Sequence, residues 1–294
     1  MLPLGILAAS AGGLPQFYYF AGGSMSTTVD KFSASDDTRT TLATGMSYSS
    51  ANSAAMSDPG VAGYVGGGSG YVTNVDKFTF PTDSRSAVTS DLSQGRFGLA
   101  AMSNFGVAGY FGGGYTGSNT SRVDKYSFPS DSRSNTTSLS AARRYLAAMA
   151  DSGVAGYFVG GIESSTVNKL DRFAFPSDSV STIAATITTA KDELAAMANS
   201  GVAGYAGGGA NGAVVDKFAF PSETRTTLAV GLSKIQNNLG ATAISAVAGY
   251  FGGGHFDSDW VDRFAFPSDS RSVVTVGLSS NRTNTRGFAD AGAS

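Results

Sequence analysis

The stretch Val107-Ala108-Gly109-Tyr110-Phe111-Gly112-Gly113-Gly114, answered a little further on by Val123-Asp124-Lys125-Tyr126, decides the fold because the chain repeats it. The aromatic of the first phrase recurs at Tyr19, Tyr64, Tyr110, Tyr157, Tyr205 and Tyr250, and the aspartate of the second at Asp30, Asp76, Asp124, Asp171, Asp216 and Asp262. A period of about 46 residues with several short strand-like runs per unit points to radial or stacked β architecture, in which no unit buries its apolar faces alone.

Working outward within one copy, four β-like runs follow one another, Leu99 to Ser103, Val107 to Gly112, Val123 to Phe128 and Ser134 to Leu139. The first two are rich in small residues, as strands packed near an axis require. The third alternates: Phe78 and Phe80, Phe173 and Phe175, Phe218 and Phe220, and Phe264 and Phe266 stand two apart on one face, where they are predicted to fill the layer between adjacent sheets. After them come Pro81, Pro129, Pro176, Pro221 and Pro267, each opening a Pro-Ser-Asp-Ser-like tight turn. Asp83, Asp131, Asp178 and Asp269 in those turns lack the further oxygen ligands of a calcium loop and read as turn chemistry.

Composition narrows the function. The 294 residues are 41% hydrophobic and include 39 glycines, enough for a sizeable core with the turn density of an all-β chain. Only 14% are charged and the formal net charge is −2, so no basic field exists to hold a phosphate backbone, and nucleic acid is not an expected partner. Cysteine is absent, which removes disulfides and thiolate chemistry, and no metal or other cofactor is implied. No apolar run approaches the roughly 20 residues of a membrane-spanning helix, so membrane insertion is not expected. Met1 to Gly13 is apolar but lacks the basic start of a secretion signal; Leu7-Ala8-Ala9-Ser10 instead echoes Leu99-Ala100-Ala101-Met102 and reads as a strand.

The pattern resembles the kelch repeat and its β-propeller. The likeness rests on a basic residue opening the first strand (Arg96, Arg143, Lys191), on the aromatic-small-Gly-Gly strand (Tyr110 to Gly114, Tyr205 to Gly209, Tyr250 to Gly254), and on the Val-Asp-Lys-Phe strand. The Trp usual on the outer strand of that family is replaced by Ser-Arg-Ser or Thr-Arg-Thr, and the single Trp260 lies elsewhere. The phrases Gly-Tyr-Phe-Gly-Gly-Gly, Val-Asp-Lys-Phe and Leu-Ala-Ala-Met also look like repeats in structural proteins of tailed bacteriophages, notably marine cyanophages. The resulting expectation is one all-β domain, a six-bladed, kelch-like β-propeller with four antiparallel strands per blade. The blades fall at about 1–46, 47–92, 93–139, 140–187, 188–232 and 233–278, with a tail at 279–294. Leu7 to Ser10 is expected to supply the inner strand of the first blade, leaving the tail to cross the junction or reach a neighbouring subunit.

Antiparallel connectivity puts the links into strand one and the loops between strands two and three at the same end of the blade. That end varies from copy to copy, whereas the opposite turns are nearly identical. Divergence confined to one end is what a one-faced binding surface produces, with unconstrained drift as the alternative. The variable loops contribute Tyr71, Tyr115, His255 and Trp260, aromatics suited to stacking on sugar faces among them. The links contribute Arg96, Phe97, Arg143, Arg144, Tyr145, Lys191 and Arg282, which are predicted to rim the channel mouth, as kelch ligand pockets do; a guanidinium fork there suits a carboxylate or sugar hydroxyls.

Enzyme constellations fail on inventory. His255 is the only histidine, the glycine runs lack the ending of a phosphate loop, and the repeated aspartates come one per blade, too far apart for a close carboxylate pair. The function expected is a noncatalytic, virion-associated structural or adhesion propeller, part of a multi-subunit assembly, binding a host-surface glycan or another virion protein. A secreted, extracellular glycan-active enzyme and a cellular kelch-type adaptor are the alternatives.

Overall fold

A computed structural model describes residues 15–290 except 176, 211, 221, 256 and 257. The expected strand at Leu7 to Ser10, the signal-like stretch from Met1 to Gly13 and the turn residues Pro176 and Pro221 lie outside the described residues.

Twenty-four strands form six sheets of four, with no helix among the described residues. The second sheet illustrates the order: β4 (Ala54–Asp58), β5 (Ala62–Gly66), β6 (Val75–Thr79) and β7 (Ser84–Ala87) pair antiparallel from the axis outward. The third contains β8 (Ala100–Asn104) to β11 (Ser132–Asn135), the fourth β12 (Ala147–Asp151) to β15 (Ser179–Thr186), the fifth β16 (Leu194–Asn199) to β19 (Thr224–Thr227), and the sixth β20 (Gly240–Ile244) to β23 (Ser270–Val273). The all-β, six-bladed propeller read from the repeat is thus the fold.

Closure differs from expectation. The first sheet runs β24 (Arg286–Asp290), β1 (Phe17–Ala21), β2 (Val29–Ser33) and β3 (Arg39–Thr41). The tail strand Arg286–Asp290 therefore is the inner strand of the first blade, with Phe17 opposite Asp290 and Ala21 opposite Arg286. The physical reason is a slot that Met56, Met102, Met149, Met197 and Phe288 occupy on five of the inner strands, each packing on a glycine of a neighbouring blade. A Cβ on Gly109, Gly156, Gly204 or Gly249 would lie within 2.4 Å of Met56, Met102, Met149 or Met197. At the first blade Phe288 fills this slot against Gly63 and stacks on Tyr19 at 4.7 Å. Ser10, which aligns there in the N-terminal copy, would leave the slot empty, and an unfilled cavity costs stability.

The blade interfaces repeat with compensated exceptions. Phe80, Phe128, Phe175, Phe220 and Phe266 are buried and stack on Tyr19, Tyr64, Tyr110, Tyr157 and Tyr205 of the preceding blade at 5.3–5.5 Å, as the alternating phenylalanines predicted. Between the last blade and the first, Thr242 stands in the Met place and Ala34 in the Phe place. There Tyr18 replaces the glycine and stacks on Tyr250 at 3.7 Å. Close packing demands such volume exchange, since neither void nor overlap is tolerated cheaply.

The turn aspartates do more than shape turns. Asp83 accepts from the Tyr19 hydroxyl at 2.8 Å and from Lys31 Nζ at 2.6 Å, both on the preceding blade, and Asp131, Asp178 and Asp269 repeat the clasp. Glu223 does so with Tyr157 and Arg172. These clasps tie neighbouring blades together in circumferential sequence.

Candidate binding face at the channel mouth

Four of the expected rim cations are not on the rim. Arg96 and Arg143 are 0% exposed and Arg282 1%. Each link dips into its blade before the inner strand starts, so the guanidinium meets the aspartate of the Val-Asp-Lys-Phe strand. Arg96 Nη1 donates to Asp124 at 3.0 Å, Arg143 Nη2 to Asp171 at 2.9 Å, and Arg282 Nη2 to Asp30. A further bond from each guanidinium reaches a backbone carbonyl, Phe111 O from Arg96 Nη2, Phe158 O from Arg143 Nη2 and Gly22 O from Arg282 Nη1. Lys191 is likewise buried, and desolvation holds its pKa below the usual lysine value against the opposing pull of Asp216. Gln236 and Ser50 hold the same place in the other two blades and are buried too. The aspartates also accept backbone N–H groups from the links, such as Ser93 N on Asp124 and Ser279 N on Asp30, so each staples its link to its blade. Trp260, expected in solvent, is buried with its indole N–H donated to Ser233 Oγ. One signal for the pairing was present in the sequence: Arg96 precedes Asp124, and Arg143 precedes Asp171, by the same 28 residues.

The remaining candidates do converge. Phe97 lies at the centre of a cluster, with ring centroids 5.7 Å from Tyr71, 5.3 Å from Tyr115 and 6.0 Å from Tyr145. The Arg144 guanidinium lies over Tyr115 at 5.0 Å and Tyr145 at 5.6 Å. Its Nη1 donates to Asn119 Oδ1 at 2.7 Å, and Asn119 Nδ2 donates to the carbonyls of Ile162 and Glu163, so the cation is held in place. Reciprocal backbone bonds between Phe97 and Tyr115, and between Arg144 and Ile162, zip each link to the loop beyond it. Tyr71 is 48% exposed, while Phe97, Tyr115, Arg144 and Tyr145 are half-buried. The result is an aromatic ledge spanning three blades on the variable face.

The ledge borders the channel mouth. Asn52, Gly98, Tyr145, Glu193, Asn238 and Asn284 occupy equivalent positions just before the inner strands, all with φ between 54° and 64°. Their backbones form a girdle: the N–H of Gly98 donates to Asn52 O, and in turn Tyr145 to Gly98, Glu193 to Tyr145, Asn238 to Glu193 and Asn284 to Asn238, at 2.7–3.0 Å. Inside it, a cavity open to solvent is lined by Ala55, Ala101, Ala148, Ala196, Ala241 and Gly287 together with Tyr145, Glu193 and Arg286.

Two neighbouring carboxyls stand at this mouth: Asp192, in the link beside Arg144, and Glu193, which the sequence reading passed over. Burial pushes the Asp192 carboxyl up while Arg144 pulls it down. Burial and then the neighbouring Asp192 push Glu193 up, against the hydrogen bond from Asn237 Nδ2 at 2.7 Å. His255 stands exposed nearby, its N–H bonded to Asn237 O. Among the described residues no group of three His, Asp or Glu side chains is placed to hold a metal ion. The Asp257 of that loop lies outside them.

No protein-family model matches the chain, and no curated protein is similar to it.

Proposed function

We propose that this propeller is a noncatalytic binding module that takes a glycan on its channel-mouth face, acting as a structural or adhesion component of a virion. The observation that carries the binding reading is the ledge formed by Tyr71, Phe97, Tyr115 and Tyr145, with Arg144 stacked across it. Aromatic faces braced from beneath stack on the apolar faces of sugar rings with little side-chain entropy left to lose. Supporting the virion setting is the likeness of the repeated phrases to phage structural proteins; the same face also suits another virion protein. The test is retention of bacterial-surface polysaccharides on immobilised protein. Tyr71→Ala combined with Tyr115→Ala should abolish retention without moving the melting temperature; retention that survives in the double variant, or none by the wild type, overturns the reading. Presence of the chain in purified phage particles tests its setting.

A second reading draws on one observation, the raised carboxyl of Glu193 beside the ledge, which is the property of a general acid. Release of oligosaccharide by the wild type, lost in Glu193→Gln, would replace the noncatalytic reading with a glycan-active enzyme.

A further inference from the structure

The channel mouth is sixfold in backbone but not in chemistry. At the repeat position of Arg286 the other five inner strands carry Ala54, Ala100, Ala147, Ala195 and Gly240, and all five line the mouth. In the sixth place stands Arg286, which lines it too. Its Nε donates to Ser53 O and its Nη1 to Thr285 O at 2.6 Å, both neutral carbonyls. Among the described residues none of the ion pairs involves it, in contrast to Arg96, Arg143 and Arg282, each ion-paired to an aspartate. Burial lowers its pKa to about 10, while Glu193 and Tyr145 across the mouth raise it, so it remains a cation at neutral pH.

We infer that Arg286 anchors an anion subsite in the channel mouth that takes the carboxylate of an acidic sugar. The inference rests on the glycan reading above and specifies the class of glycan. A guanidinium fixed through Nε and Nη1 keeps its Nη2 without a protein hydrogen bond at a residue that lines the cavity, and a carboxylate matches the guanidinium fork in a plane. Tyr145 belongs both to the mouth and to the ledge, so a sugar whose carboxylate reaches Arg286 has its neighbouring ring units over the aromatics. Asn238 lines the same cavity and supplies amide groups for hydroxyls. Glu193, which lines the same mouth, disfavours a dianion such as phosphate or sulfate more than a single carboxylate, because like charges in a partly desolvated site repel strongly.

The experiment titrates wild type, Arg286→Ala and Arg286→Lys with sodium glucuronate, glucose and inorganic sulfate at constant ionic strength, by calorimetry or amide chemical shifts. Alanine is the residue that four equivalent strands already carry, so Arg286→Ala is expected to fold, and its melting curve checks this. Saturable glucuronate binding is expected in the wild type, at least roughly tenfold tighter than glucose or sulfate and at least roughly tenfold weaker in Arg286→Ala, with Arg286→Lys between because it lacks the fork. Equal binding of glucose, equal binding of sulfate, an undiminished Arg286→Ala, or no saturable glucuronate binding would each overturn the inference. None of these outcomes touches the ledge, whose reading stands or falls on polysaccharide retention by the tyrosine variants.

Discussion

Arg96→Ala tests the burial of the link cations. The substitution removes the bonds of Nη1 to Asp124 at 3.0 Å and to Gln94 O at 3.3 Å, and that of Nη2 to Phe111 O at 3.0 Å. Breaking a buried ion pair from one side costs about 3–5 kcal/mol, because the abandoned charge stays desolvated. Asp124 keeps the Ser93 N–H at 3.1 Å and Arg133 at 3.5 Å, which places Arg96→Ala near the lower bound, about 3 kcal/mol. Asp124→Ala strands a fully buried cation on carbonyls and orphans the Ser93 N–H, so it belongs near the upper bound, about 5 kcal/mol. The double variant should lose less than the sum, with a coupling of about 1–3 kcal/mol. Urea unfolding reads these values from midpoint and slope, and at roughly 2–4 °C per kcal/mol the lower figure corresponds to a drop of about 6–12 °C in melting temperature. A cost below about 1 kcal/mol for Arg96→Ala, the worth of a solvent-exposed pair, would refute the buried staple.

Phe288→Ala should cost about 3–5 kcal/mol in urea, since it empties the slot against Gly63 and Tyr19, and removing residues 286–294 should abolish a single cooperative transition; a wild-type midpoint for the deletion refutes closure by the tail. Gly112→Ala places a Cβ 2.4 Å from the Phe158 ring and should destabilise by about 1–3 kcal/mol, although glycine-to-alanine changes in strands ordinarily stabilise; a rise in melting temperature would contradict the packing. Burial raises the pKa of Tyr19, Tyr64, Tyr110 and Tyr205, and that of Tyr157 to about 12, with the hydrogen bonds to turn carboxylates adding to it. The unfolded chain then releases phenolic protons that the folded chain retains, so stability is full below about pH 10 and falls as pH rises above it. Phenolate absorbance should appear for these residues only with unfolding, and titration of all tyrosines before unfolding would refute the clasps.

The repeat determined by itself the number of blades, the strand order, the phenylalanine layer and the sorting of loops into a monotonous and a varied end, because each is a short-range property of one copy read six times. It also assembled Tyr71, Phe97, Tyr115, Arg144 and Tyr145 on one face, since connectivity alone decides which loops share an end. The tertiary structure decided what depends on partners distant in sequence. Whether Arg96 points to solvent or to Asp124 turns on how far the link dips into the sheet, and an arginine beside a channel is locally indistinguishable from one beneath it. Whether Leu7-Ala8-Ala9-Ser10 or Arg286-Gly287-Phe288-Ala289 closes the ring turns on shape: the first is the better copy of the repeat, but only the second carries a side chain large enough to fill the space over Gly63. Repetition specifies a blade. Closing the ring takes complementary volumes and paired charges between residues more than two hundred positions apart, such as Arg282 with Asp30, and those exist only once the chain has come full circle.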